Sequence, residues 1–458
     1  MTEQIVCIGA GYVGGPSMAV MADQCPGINI KVVDIDQKRI DRWNNLDNSD
    51  LPVYEPGLEE VLTRVRGKNL TFTTDLEREI GSADMVFLSV NTPTKNYGYG
   101  AGQAADLSYI ESAARQIAEY GKGQTIVVER STLPVRTAEA LQTILKQGNG
   151  DQYKILSNPE FMAEGTAIAD LQNPDRVLVG GQCSESVEEL ASIYRNWVPN
   201  NRILRTNVWS AELSKLTANA FLAQRISSIN SIAALCEKSG ANITEVKQAI
   251  GADTRIGSSF LNPGPGFGGS CFKKDILNLA YLADHFGLME VANYWRSVLE
   301  LNDWTQHRMA QIVSQKFYGT LRGKKIAVLG FSFKANTNDT RESPAIELCS
   351  KLIQEGADLC IHDPRVTESE IKRELRKNES HRSFGSYQYE QELNSAVEDA
   401  HAVVVMTDWD EYRRLDWATI ANKMQRPGWV FDTRGITNLR EAADNGLETW
   451  EVGCGDLQ

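Results

Sequence analysis

The chain has 458 residues, a formal net charge of −13, and 42% hydrophobic and 23% charged residues. That length accommodates about three domains, each able to bury a core, and the excess of negative charge argues against a nucleic-acid backbone as the main partner. No apolar run approaches the ~20 residues of a membrane span, the N-terminus enters a strand without a basic leader, and the eight cysteines form no CxxC pair or tight metal spacing. The sequence therefore predicts a cytoplasmic protein with reduced thiols and no metal site.

Residues 4–8 are a short apolar run, followed by glycines and an apolar helical stretch at 16–22. A second strand at 28–33 ends in Asp34. Strand-like runs follow at 70–72, 85–90, 125–128, 154–156 and 176–179, separated by helical patterns such as 109–120 and 137–146. This alternation predicts a doubly wound, mostly parallel α/β domain. From Trp209 the period changes: Leu213, Leu216, Ala220, Ala223, Ile226, Ile229 and Ala233 recur every third or fourth position, the mark of a long amphipathic helix that stops near Gly240. A glycine-rich loop occupies 262–269, with more helix through Phe317. Near Gly323 the alternation restarts, with strands at 325–329, 359–361, 402–406 and 429–431 and a helix beginning near Pro344. The expected fold is α/β, two Rossmann-like doubly wound domains (1–208 and 321–458) joined by a central long-helix domain (209–320). The charge-rich stretch 365–382 reads as solvated surface.

Gly9-Ala10-Gly11-Tyr12-Val13-Gly14 is GxGxxG between a strand and a helix, with Asp34 closing the next strand. In that context it is a dinucleotide fingerprint. Gly9 makes the turn, Gly11 lets backbone approach a pyrophosphate at the helix N-terminus, and Gly14 permits close packing. Asp34 would accept from the adenosine ribose and repel a 2′-phosphate, which favours NAD; Arg39 softens that preference. Three further segments lie at strand C-termini, where parallel sheets bind ligands: Asn91-Thr92-Pro93-Thr94, Ser131-Thr132-Leu133-Pro134 and Asn158-Pro159-Glu160-Phe161. Thr132 and Glu160 are expected to face a nicotinamide; plain turn chemistry is the alternative for the proline-containing segments. By contrast Gly330-Phe331-Ser332-Phe333-Lys334 is not GxGxxG, so no second dinucleotide is expected there, while Lys334 and Arg341 would suit a pyrophosphate, with plain surface cations as the alternative.

Lys215 and Asn219 share a face of the long helix, although such a lysine is commonly solvated. Gly268-Gly269-Ser270-Cys271-Phe272-Lys273-Lys274-Asp275 puts a cysteine at a helix start beside lysines, an arrangement that favours thiolate, with Asp275 one turn on. The alternative is a buried structural cysteine. A dehydrogenase has a use for a thiolate: an aldehyde gives up a second hydride only after its carbon becomes tetrahedral, and thiolate addition achieves that. A base is needed for the hydroxyl and a donor or cation for the oxyanion. Lys215 and Asn219 suit the second role, Glu160 or Asp275 the first.

With the 90–94, 131–134, 158–161, 212–219, 266–271 and 339–343 segments taken together with the fingerprint, the chain resembles the UDP-glucose/GDP-mannose dehydrogenase family end to end. The resemblance implies two Rossmann-like domains joined by a long helix. It implies NAD-dependent four-electron oxidation of UDP-glucose to UDP-glucuronate, through aldehyde, thiohemiacetal and cysteine thioester. Cys271 would be the nucleophile, Lys215 and Asn219 the oxyanion groups, Glu160 the base for hydrolytic water with Thr132 placing it, and Asp275 the acid beside the thiol. For the cofactor it implies Gly9, Gly11, Tyr12, Val13, Gly14, Asp34, Arg39, Val90, Asn91, Thr92, Pro93, Thr94, Ser131, Thr132, Glu164, Lys274 and Arg341. For the nucleotide sugar it implies Glu160, Phe161, Met162, Lys215, Asn219, Arg255, Phe260, Gly266, Phe267, Gly268, Phe333, Lys334 and Arg434. Arg255 in such enzymes reaches a partner's substrate, which implies a homo-oligomer, dimer or trimer of dimers. Asn262 stands where animal members commonly carry a lysine, the 96–103 insert resembles the animal type, and the chain ends at Gln458 without the longer tail of some members. The readings left open beside this one are a sibling acting on GDP-mannose or a UDP-N-acetyl-hexosamine, a two-electron hydroxyacid dehydrogenase, and a non-catalytic NAD sensor.

Overall fold

A computed structural model describes residues 2–148, 152–377 and 384–456. The chain divides into two compact units, Met1–Ala218 with Leu277–Ala292, and Asn219–Ile276 with Asn293–Gln458.

The first unit is built on an eight-stranded sheet: β1 (Gln4–Ile8), β2 (Asn29–Val33), β3 (Leu70–Thr73), β4 (Met85–Leu88), β5 (Ile126–Glu129), β6 (Lys154–Ser157), β7 (Val177–Gly181) and β8 (Ile203–Thr206). The order is β3-β2-β1-β4-β5-β6-β7-β8, parallel except for the β6–β7 pair. The reversal of winding between β1 and β4 opens a ligand crevice at the strand C-termini. Strands β4 and β5 are buried along their whole length, as central parallel strands covered by helices must be. That is why they read as unbroken apolar runs. The sequence pattern did not mark β8, an edge strand whose Leu204 and Arg205 are exposed.

The glycine motif opens the Gly14–Gln24 helix, and its third and fourth glycines have different reasons. A Cβ on Gly14 would lie 1.9 Å from the Gly9 carbonyl oxygen, and one on Gly15 would lie 2.2 Å from the Trp43 ring. Trp43 is fully buried, stacks on Phe72 at 4.7 Å and donates from Nε1 to the Ala10 carbonyl at 2.9 Å. So the core locks the fingerprint from beneath.

In the second unit the sheet comprises β9 (Lys325–Leu329), β10 (Asp358–His362), β11 (Ser386–Tyr389), β12 (Ala402–Val405), β13 (Trp429–Asp432), β14 (Glu448–Glu451) and β15 (Gly455–Asp456). Its order is β11-β10-β9-β12-β13-β14-β15, with only β14–β15 antiparallel. Strands β11, β14 and β15 were not expected from the sequence. The first alternates exposed and half-buried residues at the sheet edge. The Pro344–Gln354 helix starts where expected, capped by Ser343. Long helices complete the fold. The Val208–Ser239 helix runs from the first unit into the second and ends before Gly240, at φ +78°; Phe272–His285 and Met289–Lys316 follow. Of the charge-rich stretch, the Glu368–Lys377 helix is described, and residues 378–382 lie outside the described residues.

Candidate active site

In the first unit the fingerprint and Asp34 come together as expected. Asp34 Oδ2 accepts from Ala10 N at 2.9 Å and pairs with Arg39 Nη1 at 2.9 Å, while Oδ1 accepts from Asp36 N at 3.0 Å. A Cβ on Gly11 would meet nothing within 4 Å. The open face above Gly11, beside an acid at the end of β2, fits a dinucleotide whose pyrophosphate needs close backbone approach. The loops after β4 and β5 are stitched to each other: Ser131 Oγ donates to the Val90 carbonyl at 2.6 Å, and Thr92 Oγ1 to the Thr132 carbonyl at 3.0 Å. Thus Val90, Asn91, Thr92, Ser131 and Thr132 form one continuous rim. Thr94 continues it through a bridge to Ala105, and Glu164 is half-buried.

Glu160 is held more tightly than a free base. Its Oε1 accepts from Phe161 N at 2.7 Å and Met162 N at 3.0 Å, and Oε2 pairs with the buried Arg130. Arg130 in turn donates to Tyr194 Oη at 2.9 Å and to the fully buried Asn158. Burial is the largest influence on Arg130 and opposes its charge, but the Glu160 carboxylate together with Tyr194 and Cys7 outweighs it, so the pKa lies above the usual arginine value. Phe161 is flanked by cations, with the Arg176 guanidinium 3.8 Å and Lys215 Nζ 5.3 Å from its ring centroid. Arg130, Arg176 and Tyr194 were not among the site residues expected from the sequence, where Asn158 figured only as part of its turn segment. Arg130, Asn158 and Arg176 border strands, whereas Tyr194 ends the Ser184–Tyr194 helix and carried no such hint.

In the second unit a glycine-rich loop leads to Cys271 at the start of a helix. The Phe272–His285 helix begins one residue later, and Asp275 N donates to the Cys271 carbonyl at 2.9 Å. Cys271 therefore sits immediately before the helix, at the position that caps it. It is the exposed member of the eight cysteines. Burial pushes the Cys7 and Cys25 thiols up to about 11, and Cys349 higher still. Asp275 is 1% exposed. It accepts from Asn219 Nδ2 at 2.6 Å and pairs with Lys274 Nζ at 2.9 Å, so two residues expected in different roles orient the same carboxylate.

The glycine loop before Cys271 is fixed from two sides. Phe267 N donates to Asn302 Oδ1 at 2.8 Å, and the Phe267 carbonyl accepts from Asn302 Nδ2 at 3.1 Å and Gln306 Nε2 at 3.0 Å. Gly266 sits at φ +109°, a conformation that excludes a side chain. A Cβ on Gly268 would lie 2.4 Å from the Glu342 carbonyl oxygen, and one on Gly269 would lie 3.0 Å from the Phe333 ring. Lys273 pairs with Glu342 at 2.8 Å, and Gly269 N donates to the Arg341 carbonyl at 2.8 Å. Arg434 donates to the Met406 carbonyl at 2.8 Å and the Phe333 carbonyl at 3.1 Å. Burial lowers its pKa below the usual arginine value. Its loop is organised by Asp432, whose two oxygens accept four backbone amides. Lys334 Nζ lies 5.5 Å from the centre of the Phe333 ring, and Phe260 is partly exposed at φ +58°. Arg341 and Arg255 are exposed and held bidentately by Asp339 and Asp253.

The second sheet also shows why it carries no fingerprint. Asp363, at the end of β10, occupies the position Asp34 has after β2. Its Oδ2 accepts from Phe331 N, Ser332 N, Ser332 Oγ and Trp409 Nε1, and its Oδ1 from Arg365 N and Val366 N. A carboxylate with six donors of its own chain has nothing left for a ribose. Among the described residues no group of three or more His, Cys, Asp or Glu could hold a metal ion, and no helix is long and apolar enough to cross a membrane.

A chain with two doubly wound sheets and long helices, one sheet carrying a dinucleotide fingerprint and the other not, has the make-up of an NAD-dependent oxidoreductase, and comparison with known proteins specifies which kind. Residues 3–198 match the NAD binding domain, 209–304 the central domain and 327–439 the UDP binding domain of the UDP-glucose/GDP-mannose dehydrogenase family. The chain belongs to that family. It is 51% identical to UDP-glucose 6-dehydrogenase 3 of Oryza sativa subsp. japonica, over 98% of this chain and 97% of the relative. It is 50% identical to UDP-glucose 6-dehydrogenase 4 of Arabidopsis thaliana over the same shares. Among solved structures it is similar to a UDP-glucose dehydrogenase from the hyperthermophilic archaeon Pyrobaculum islandicum, with TM-score 0.84 and 29% identity over 99% of this chain and 98% of that one. A UDP-D-ManNAc dehydrogenase from Pyrococcus horikoshii gives TM-score 0.81 and 26% identity over 99% and 100%.

Proposed function

We infer that the chain oxidises UDP-glucose to UDP-glucuronate, with two NAD per sugar and Cys271 as covalent nucleophile. The observation that carries this is the exposed Cys271 at a helix start, tied through Asp275 to Asn219, within a chain half identical over its length to UDP-glucose 6-dehydrogenases. The functional segments are 1–208 for the cofactor, 209–320 for the nucleophile loop and 321–458 for the nucleotide.

NAD, when bound, accepts one hydride in each oxidation. Gly9, Gly11, Gly14 and Asp34 would hold it, together with the Val90–Thr94 and Ser131–Thr132 rim, Tyr12, Val13, Arg39, Glu164, Lys274 and Arg341. The first oxidation gives an aldehyde and releases a proton. Cys271 Sγ adds to the aldehyde carbon, the C–S bond forming as the carbonyl π pair goes to oxygen and takes a proton. The thiohemiacetal then loses hydride and proton to become a thioester. Water attacks that carbon, the C–S bond breaks, and the thiol and a carboxylate remain. Lys215 and Asn219 stabilise the oxygen charge. Asp275 fixes the Asn219 amide and is the acid beside the thiol. Glu160 orients the water that Thr132 places; its bond to Arg130 keeps the carboxylate fixed, so it relays a proton only by loosening that pair. Phe161, Met162, Phe260, the Gly266-Phe267-Gly268 loop, Phe333, Lys334 and Arg434 bind the nucleotide sugar. Arg255, exposed on its loop, reaches the substrate of a second copy, so the active form is a homo-oligomer, and the protein works in the cytoplasm.

A nucleotide-sugar panel read by NADH absorbance tests this. Two NADH per UDP-glucose, with weaker turnover of GDP-mannose and UDP-N-acetyl-hexosamines, is expected. One NADH per substrate points to a two-electron enzyme, and preference for another nucleotide sugar points to a sibling.

A further inference from the structure

Glu129 ends β5, immediately before Arg130, Ser131 and Thr132, and is 1% exposed. Neither of its carboxyl oxygens meets a hydrogen-bond donor among the described residues. What it faces is another carboxyl, that of Glu212, itself 2% exposed and three residues before Lys215 on the Val208–Ser239 helix. Two carboxylates out of water repel, and neither has a hydrogen to give. A single proton between them turns that repulsion into an O–H···O bond to a charged acceptor.

The surroundings say which residue owns the proton. Glu212 Oε2 accepts from Arg136 N at 2.8 Å and Oε1 from Ala138 N at 2.9 Å. Both oxygens are thus spent on donors at the start of the Thr137–Leu145 helix, where negative charge is favoured. We propose that Glu129 is the acid and Glu212 the carboxylate of a buried one-proton pair, a positioning element that holds the Ser131–Thr132 loop and the following helix against the turn that carries Lys215. Burial, then the Glu212 charge, push the Glu129 pKa well above the ordinary glutamate value. Burial also raises Glu212, and the two backbone amides pull it back. Of the other charged groups, Glu139 raises Glu212 further, whereas Arg136 meets Glu212 through its backbone N–H and its guanidinium lies over Trp209, 5.6 Å from the ring centre.

The test uses the full-length protein. Infrared spectroscopy at neutral pH should show a protonated carboxylic C=O band that disappears in Glu129→Gln. In kinetics, Glu129→Leu should lower kcat/KM about tenfold or more, the scale of one lost charge-assisted hydrogen bond. Glu129→Gln should recover most of it, because an amide N–H can replace the shared proton. Glu212→Gln should not recover, since its NH2 is forced against Arg136 N or Ala138 N. The pH sign follows from the raised folded-state pKa of Glu129. Its contribution is full below the ordinary glutamate pKa of about 4.3 and is lost as pH rises from there through the raised value, so Glu129→Gln should flatten the fall in Tm across that window. A wild-type spectrum without the acid band overturns the pair. The band with Gln no better than Leu overturns the positioning role. The kinetic arm rests on the places proposed for Thr132 and Lys215, whereas the infrared arm does not, so the two failures are distinguishable.

Discussion

Asn302→Ala isolates the contribution of the loop that precedes Cys271. Asn302 is 4% exposed and makes two bonds to Phe267, accepting from its N–H at 2.8 Å and donating to its carbonyl at 3.1 Å. The carbonyl keeps a second donor in Gln306, at 3.0 Å, so truncation strands only the buried N–H. An unsatisfied buried amide costs about 1–3 kcal/mol. If that cost falls on the loop, a central value of about 2 kcal/mol lowers the ordered population by roughly 30-fold relative to the opened one. Gln306→Ala removes only the redundant donor and should cost less than about 1 kcal/mol. Urea unfolding and steady-state kinetics with UDP-glucose on both variants measure the difference. Asn302→Ala should lose the predicted stability or the corresponding kcat/KM, and Gln306→Ala should lose little of either. Equal effects from the two substitutions, or no effect from Asn302→Ala, would refute the reasoning.

Two further outcomes follow from titration and exposure. Burial lowers the His362 pKa below the ordinary histidine value, with its Nδ1 2.8 Å from Tyr412 Oη and Asp363 and Glu411 nearby. The unfolded chain then binds more protons in the window below pH ~6.5, so this group's contribution is present above that pH and is lost as pH falls through the lowered value. Melting curves between neutral and mildly acid pH should show a shallower acid fall in His362→Gln than in the parent protein. Brief iodoacetamide treatment of the native protein at neutral pH should label Cys271 before Cys7, Cys25 or Cys349, whose burial disfavours thiolate; peptide mass spectrometry reads the order, and first labelling at a buried cysteine would count against it.

How far the sequence could be read depended on which physical signal each element carries. β4 and β5 are buried on both faces and announce themselves as apolar runs. β8 and β11 lie at sheet edges, where half the side chains meet water and the apolar run dissolves into ordinary loop composition. The fingerprint was legible because Gly9, Gly11 and Gly14 are spaced along one turn. Gly15 was not, because its reason is Trp43, which reaches it only in the folded core. Likewise Cys271 and Asp275 lie within five residues and share a helix start, whereas the Asn302 and Gln306 contacts to Phe267 and the Arg130–Glu160 pair span 30 or more positions. Period and spacing carry no trace of such contacts. Glu129 and Glu212 are the extreme case: an acid at the end of a strand and an acid on a helix look solvated until the fold buries them together.

The central claim is a covalent bond between sugar and sulfur, and Cys271→Ser tests it most directly. Incubated with NAD and UDP-glucose, this variant should accumulate an ester whose hydrolysis is far slower than that of a thioester. Intact-mass spectrometry should then show a fraction of the protein heavier by one UDP-glucuronyl group, located to residue 271, while steady-state NADH production nearly ceases. Undiminished turnover with no mass shift would remove Cys271 from the chemistry.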